Sequence, residues 1–439
     1  MRVEVINTGT ELMLGGTINT HLAFIARELF PLGLRIQRQA TVPDGESIRE
    51  ALVESFPRAD VVLVTGGLGP TTDDITREIV ADLLGLKLEH DGEIWRAIEE
   101  RFRRRGLRWT ERVKLQALRP REATVLWNPH GTAPGLYFPA MPDVMRTILS
   151  AVPDRKTPHI FLLPGPPREL KPMVSEKVLP ILAALLPARA TARMRTYRTL
   201  GIGESLVEEK VGAELIGMGL EVGYCARPGE VDLRLIGVPE MLQRADRLVR
   251  ERLEKWIFTT DERDLPQVIV EMLAARGATL AAAESCTGGF VANQITNVPG
   301  ASKVFLAGFV TYANEAKVAA LGVDAALIAQ HGAVSEPVAR QMAEGAARKT
   351  GADFALSTTG IAGPDGGSPE KPVGTVFIAL AGRGRDTVVQ RHHFPTDRET
   401  FKHIVAQTVM DLLLRRLDGR EVPKGEKFSA GDGGCGGSD

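Results

Sequence analysis

"TLAAAESCTGGFVANQIT" (residues 279–296) decides how the chain is read. It is a β-rich run that enters a glycine pair, Gly288 and Gly289, and then a helical pattern from Phe290. Strand, glycine turn and helix in that order are the repeating unit of an α/β sheet, and loops at strand C-termini are where such sheets place ligands. The turn holds two candidate nucleophiles side by side, Ser285 and Cys286. The turn alone leaves open which of them reacts, or whether Ser285 only caps the helix while Cys286 fills the core.

The stretch that follows, "KVFLAGFVTYANEAKVAALG" (303–322), is a buried strand ending at Tyr312, with Asn314 and Lys317 in a helical segment behind it. A serine hydroxyl is a poor nucleophile until a base takes its proton. A lysine serves once burial has lowered its pKa, because desolvation disfavours the ammonium. Serine–lysine pairs are a known variant of the triad, and a tyrosine can relay the proton or orient the pair. Backbone N–H groups after Ser285, at a helix start, could hold an oxyanion. The plainer alternative makes Lys317 a surface charge.

"FALSTTGIAGPDGG" (354–367) is a further strand, closing in Thr358, Thr359 and Gly360 before a glycine-rich loop. "FPTDRETFKHIVAQTVMDLL" (394–413) opens a helix with a capping box of Thr396 and Glu399. Arg398 and Lys402, four residues apart, share a face of it and suit either a phosphate or exposed surface. His392 and His393 are adjacent on a strand, so they point to opposite faces and do not form a metal pair.

Composition narrows the class. With 439 residues several domains are expected, and 44% apolar with 25% charged residues is ordinary for a globular chain. A formal net charge of -1 gives no global attraction to nucleic acid or anionic lipid. Cys225, Cys286 and Cys435 have neither disulfide-framework nor zinc spacing and fit a reducing cytoplasm. "MRVEVINTGTEL" lacks the apolar core of a signal peptide, and no apolar run reaches membrane-spanning length. A cytoplasmic multidomain enzyme or binding protein is expected.

Residues 1–168 alternate strands ("VEVINTG", "DVVLVTGG", "HIFLLPGPP") with helical patterns, as in a mainly parallel α/β sheet, with a surface insertion at 139–157. Residues 169–260 ("KPMVSEKVLPILAALL", "VDLRLIGV", "MLQRADRLVRERLEKWI") suit a small α+β connecting domain. Strand–helix alternation returns at 264–418, and 419–439 is a polar tail expected to be disordered. The fold class is α/β and multidomain: two sheet domains joined by a small α+β domain.

A second glycine-rich turn lies in "VVLVTGGLGPTTDDITREIV" (61–80). Gly66, Gly67 and Gly69 let backbone N–H groups approach an anion at a helix start, with Thr71 and Thr72 as hydroxyl donors. Asp73 and Asp74 could hold a divalent cation against phosphate. Read as helix caps, the same residues need no ligand. Glu11 and Asn19 flank the exit of the first strand, and Gly131 and Thr132 in "WNPHGTAPG" (127–135) could wall a pocket. "RFRRRGLRWTERVK" (101–114) concentrates seven basic residues, Lys114 among them, as a solvated helix face or a lobe closing on an anionic substrate.

In combination these motifs resemble the CinA family of competence/damage-inducible proteins over nearly the whole chain. "TGTELMLGGTINT", "TGGLGPTTDD", "NPHGTAPG" and "LPGPPREL" look like its molybdopterin-binding-like N-terminal domain. "AESCTGG", "TYANEAK", "TTGIAGPDGG" and "KPVGTVFIAL" look like its C-terminal amidase domain, and the middle region like its KH-like domain. The resemblance implies a pyridine-nucleotide enzyme that hydrolyses nicotinamide mononucleotide to nicotinate mononucleotide and ammonia. The nucleophile falls on Ser285, with Tyr312 and Lys317 as partners. Cys286, Thr287, Gly288, Gly289, Asn314, Thr358, Thr359, Gly360, Arg398 and Lys402 would bind the substrate.

The N-terminal domain would hydrolyse ADP-ribose with Mg, Mn or Co on Asp73 and Asp74. Its substrate would lie against Glu11, Asn19, Gly66, Gly67, Gly69, Thr71, Thr72, Lys114, Gly131 and Thr132. The amidase would need no cofactor, and a homodimer is the expected assembly. Three positions depart from the family: Val113 where asparagine is usual, Lys402 for arginine and Thr396 for glycine. Lysine keeps the charge and loses bidentate geometry, so weaker substrate binding is expected. The competing readings are a molybdopterin-handling transferase and a non-catalytic, DNA-associated competence protein.

Overall fold

The computed structural model describes residues 1–106, 108–141, 156–186 and 192–420. The chain divides into two units, Met1–Thr191 and Ala192–Asp439. Among the described residues no helix is long and apolar enough to cross a membrane.

The strands in chain order are β1 (Val3–Thr8), β2 (Ile36–Val42), β3 (Val61–Thr65), the short pair β4 (Glu89–His90) and β5 (Leu118–Arg119), β6 (Thr124–Leu126), β7 (Gly135–Phe138) and β8 (His159–Leu163). They build a sheet of order β2-β1-β3-β8-β7-β6, with β4 pairing β5 apart. Its first four strands are parallel and β7 and β6 antiparallel, so the sheet is mainly parallel as expected. β1 and β3 are buried along their whole length, the pattern of strands covered on both faces.

The expected boundary at 168/169 is corrected. Leu170, Met173, Val174, Val178 and Leu182 share one core with Val3, Val5, Val61, Leu63 and Phe161. Each such side chain gains roughly 1.5–3 kcal/mol by burial, which fixes the segment onto the sheet. "KPMVSEKVLPILAALL" therefore completes the first unit and does not open the next. Residues 142–155 of the expected insertion lie outside the described residues. At its edges Met141 and Thr157 are tied by reciprocal hydrogen bonds of 2.8 and 3.0 Å.

The second unit begins with β9 (Arg193–Leu200), β10 (Glu221–Arg227), β11 (Glu230–Gly237) and β12 (Ile257–Thr259), an antiparallel sheet of order β10-β11-β9-β12. Helices Glu204–Gly217 and Pro239–Leu253 pack on it, which gives the expected α+β region. Next come β13 (Leu280–Glu284), β14 (Phe305–Val310), β15 (Phe354–Gly360), β16 (Thr375–Gly382) and β17 (Arg385–His393), in the order β14-β13-β15-β16-β17. β13 runs parallel to both neighbours, and Glu284 is in register with Val310 on one side and Thr358 on the other.

This register is what assembles a site, because three consecutive strand ends deliver their loops to one edge. Leu280 and Ala282 face the helices Leu265–Arg276 and Arg398–Asp418, and Ala281 and Ala283 face the helix Glu336–Thr350. The last helix is not capped as expected. Its N-cap is Asp397, whose carboxylate accepts from Glu399 N and Thr400 N, because Thr396 stands one residue too early. Along this helix Phe401, Val405 and Leu412 are buried and Ile404 only partly so. The tail beyond residue 420 lies outside the described residues.

Candidate active site

Ser285 follows β13 directly and is 9% exposed; its N–H donates to Thr358 O at 2.9 Å. Lys317, in the helix Asn314–Leu321, turns inward and is 1% exposed. Its Nζ lies 3.2 Å from Ser285 Oγ, 2.9 Å from Thr311 O and 3.2 Å from Tyr312 O. Desolvation holds the amine below the ordinary lysine range; Cys286 and then Glu315 oppose that shift with smaller effects. A lysine at hydrogen-bond distance from a buried hydroxyl, in surroundings that favour its neutral form, is equipped to accept the hydroxyl proton.

Cys286 is buried and free, and burial pushes its thiol up to about 12. The thiolate is the reactive form, so this cysteine is inert near neutral pH. The helix start behind the turn is used differently from the expectation. Glu284, 1% exposed, folds its carboxylate over it and accepts from Gly289 N at 3.0 Å, Val291 N at 3.0 Å and Ala292 N at 2.8 Å. Those amides are therefore committed to a side chain, which leaves the N–H groups directly after the serine, at Cys286 and Thr287, for an oxyanion. Gly288 and Gly289 have φ of 61° and 92°, a left-handed pair that side-chain-bearing residues rarely adopt. Glu284 belongs to the quoted motif, yet its acceptor role had no signal in the sequence beyond a carboxylate preceding a helix start.

The other expected residues divide. Thr287 and Thr358 are buried with their hydroxyls 2.7 Å apart, beside the nucleophile. Thr359 faces away and donates to Ala333 O at 2.8 Å. Gly360 ends β15, where a Cβ would come within 2.9 Å of Thr375 O. Asn314 is exposed at the helix start.

Tyr312 lies two residues beyond β14 with its side chain 61% exposed. Its hydroxyl accepts from Arg398 Nη2 at 2.7 Å rather than meeting Ser285 or Lys317, so its tie to the pair is its backbone carbonyl. Arg398 also donates to Gly363 O at 2.7 Å. The Lys402 Nζ stands over the Phe290 ring at 6.0 Å and lies 3.8 Å from where a Gly288 Cβ would be. Lys402 thus borders the serine turn, while Arg398 is held by Tyr312 and Gly363.

In the first unit the ends of β1, β3 and β8 meet. Gly66 N donates to Leu163 O at 2.9 Å, and a Cβ on Gly66 would come 2.6 Å from Thr8 O. Thr71 N donates to Asp74 at 2.9 Å and its hydroxyl bonds the same carboxylate oxygen, so Asp74 closes the loop as a cap. Thr71, Thr72 and Asp73 are exposed, and the helix starts only at Thr76.

Asn19 Oδ1 accepts from His21 N at 3.0 Å, while its Nδ2 is buried without an acceptor among the described residues. Glu11 is exposed on a short helix. Sequence reasoning missed His21. Its Nδ1 lies 3.2 Å from Thr65 Oγ1, which donates to Asn7 Oδ1 at 3.0 Å, and desolvation lowers the imidazole pKa. Among the described residues no three His, Cys, Asp or Glu side chains are grouped to hold a metal.

The basic run also divides. Lys114 pairs with Glu111 at 2.8 Å and stands over Trp95. Val113 is buried with Ile94, Ile98 and Ala117, so it is a core residue. Arg101, Arg104 and Arg105 line a cavity of about 680 Å3 together with Gly131 and Thr132. Gly66, Gly67, Gly69, Thr71 and Thr72 are not part of that lining.

Comparison with known proteins adds a family assignment for each region. A model described as the CinA C-terminal domain matches residues 262–417, one for the damage-inducible protein CinA KH domain matches 194–259, and one for a probable molybdopterin binding domain matches 4–184. The chain is 45% identical over 415 residues to a CinA-like protein of Akkermansia muciniphila, covering 94% of this chain and 97% of that protein. It is 46% identical over 396 residues to a putative competence-damage inducible protein of Symbiobacterium thermophilum, covering 88% and 89%. The crystal structure of a competence/damage inducible protein from Agrobacterium tumefaciens is 39% identical, covers 35% of this chain and 93% of that chain, and superposes with a TM-score of 0.34.

Proposed function

The chain belongs to the CinA family, and from that premise we propose that its C-terminal site is a nicotinamide-nucleotide amidohydrolase. The observation that carries this reading is the Lys317 Nζ, buried, kept below the ordinary lysine range, and 3.2 Å from Ser285 Oγ. Ser285 Oγ attacks the carboxamide carbon of nicotinamide mononucleotide as its proton passes to Lys317 Nζ. The oxyanion is held by the N–H groups of Cys286 and Thr287. Lys317 returns the proton to the departing nitrogen, ammonia leaves, and the acyl ester on Ser285 remains. Water, deprotonated by the same amine, then cleaves the ester to release nicotinate mononucleotide. Arg398 and Lys402 receive the substrate phosphate. The test is ammonia release from nicotinamide mononucleotide by the purified chain and by Ser285→Ala; equal rates remove the serine mechanism.

For the N-terminal domain the reading is an ADP-ribose pyrophosphatase at the ends of β1, β3 and β8, which would place the chain in pyridine-nucleotide recycling. A divalent ion there fits the mode in which one or two carboxylates act together with substrate phosphate and water. Asp73 would hold it, since its carboxylate is exposed, whereas Asp74 accepts both the N–H and the hydroxyl of Thr71. The ion would neutralise charge developing on the pyrophosphate. The match to a molybdopterin binding domain favours a pterin as the second reading. Metal-dependent ADP-ribose hydrolysis without pterin binding selects the first, and the converse selects the second.

A further inference from the structure

The proposed proton transfers leave one exposed ring beside the reacting pair without a task. Tyr312 is 61% exposed, yet both of its ends are held. Its backbone carbonyl accepts from Lys317 Nζ at 3.2 Å, and its hydroxyl accepts from Arg398 Nη2 at 2.7 Å. Arg398 is anchored in turn, through Nη1 to Gly363 O at 2.7 Å. A solvent-facing aromatic tethered at its hydroxyl meets a ligand with little rotamer freedom left to lose.

The sheet register fixes where that ring lies. β13 has β14 on one side and β15 on the other, with Glu284 opposite both Val310 and Thr358. Tyr312 follows β14 and Gly363 follows β15, while Ser285 follows β13 between them. The chain Tyr312–Arg398–Gly363 therefore bridges the two loops that flank the nucleophile. One end of the tyrosine stands at the amine that activates Ser285, the other at a guanidinium suited to phosphate. In the proposed substrate a ribosyl pyridinium joins the carboxamide to the phosphate, so that part of the molecule spans the same interval as the ring. A pyridinium is a cation, and an aromatic face attracts cations through its quadrupole.

We propose that Tyr312 is a specificity-determining residue of the amidase site: its ring face stacks on the cationic pyridinium of the substrate, and Arg398 holds the ring in place by its hydroxyl. The inference rests on the reading of that site as a nicotinamide-nucleotide amidohydrolase. It gives the tyrosine a part in recognition and none in proton transfer, in keeping with a hydroxyl that meets a guanidinium instead of Ser285 or Lys317. The site then prefers a carboxamide carried on a charged ring to the same carboxamide on a neutral one.

Calorimetric titration of the full chain carrying Ser285→Ala, which removes the nucleophile, tests this with nicotinamide mononucleotide and its reduced, dihydropyridine form. The two ligands share carboxamide, ribose and phosphate, and only the oxidised ring is cationic. The oxidised form binds about three- to thirty-fold more tightly, the range of cation–π contacts from exposed to desolvated sites. Adding Tyr312→Leu brings the two affinities within about twofold, whereas Tyr312→Phe keeps the preference because the ring remains. The preference is a ratio measured within one protein, so a reduced folded fraction cancels. Equal affinities before the tyrosine is changed, a preference that survives Tyr312→Leu, or one lost in Tyr312→Phe overturns the assignment. It falls as well if neither ligand binds; ammonia release by the unmodified chain then leaves the amidase standing, and no release removes both.

Discussion

Lys317 Nζ meets Ser285 Oγ at 3.2 Å while its two other hydrogen bonds run to backbone carbonyls, Thr311 at 2.9 Å and Tyr312 at 3.2 Å. A neutral amine satisfies this arrangement completely: two N–H bonds fill the carbonyls and the lone pair faces the hydroxyl proton. Lys317→Arg retains a cation and cannot be neutral near pH 7, so it separates charge from basicity. It is expected to lose about 10²–10⁴-fold in kcat for ammonia release, the usual contribution of a general base. Lys317→Arg with wild-type kcat would show that the amine is not the base.

The direction of the Lys317 shift fixes the sign of the pH dependence. The base works when deprotonated, so kcat/KM rises with pH as Lys317 loses its proton. Burial has lowered that ionisation, so the rise is centred below the free-lysine value of about 10.4. A pH series with nicotinamide mononucleotide measures it. A midpoint at or above the ordinary value would mean that the amine is charged in the working enzyme.

Cys286 gives the complementary test, because a thiol pushed up to about 12 inside the core is unavailable to alkylating reagents. Exposed Cys225 is the internal control. Iodoacetamide should modify Cys225 with amidase activity retained, and Cys286→Ala should keep kcat within a few-fold. Inactivation that tracks modification of Cys286 would move the nucleophile to the thiol.

The sequence carried the architecture further than it carried the site. Strand–glycine–helix order located both sheets, because buried strands ending in glycine have few alternatives. The 168/169 boundary was misplaced because the apolar stripe of 170–182 reads the same whichever sheet it covers. The serine–lysine pairing depends on register: Glu284 opposite Val310 and Thr358 is a long-range fact that no local pattern encodes. Tyr312 was readable as a residue type beside the site, whereas the direction of its side chain toward Arg398 was not. Asp397, not Thr396, caps the last helix, since neighbouring Thr and Asp are both good caps and only the backbone chooses between them. His21 and Glu284 went unread because a buried acceptor or imidazole leaves no periodic trace.

Glu284 sits one residue before the nucleophile and accepts three backbone N–H bonds that shape the turn. Glu284→Gln replaces one acceptor oxygen with an NH₂ group facing amide donors, in a site with almost no solvent access. The residue positions Ser285 and touches no substrate, so kcat should fall by about 10–100-fold with KM changed far less, as expected for a misplaced reacting group. The pH midpoint assigned to Lys317 should stay in place, since Glu284 is not among the groups that move it. A variant that merely lowered the folded fraction would restore wild-type kcat once corrected for active enzyme, and that result would remove the positioning role.

His392 on β17 makes a stability prediction that is independent of catalysis. It is 6% exposed, its Nε2 lies 2.9 Å from Gln390 Oε1, and it stacks on Phe394 with ring centroids 5.5 Å apart. Burial pushes its pKa down to about 4 from an ordinary 6.5. The unfolded chain therefore binds this proton more tightly than the folded chain. Stability is highest above the ordinary value and is lost as pH falls from about 6.5 toward about 4, by on the order of 3 kcal/mol across that window. His392→Gln removes the proton linkage and leaves a fixed packing penalty. Urea midpoints measured for both proteins between pH 7.5 and 4 should converge as pH falls, because only the wild type carries this acid penalty. A constant gap between the two curves would show that the imidazole is charged, or free to charge, inside the fold.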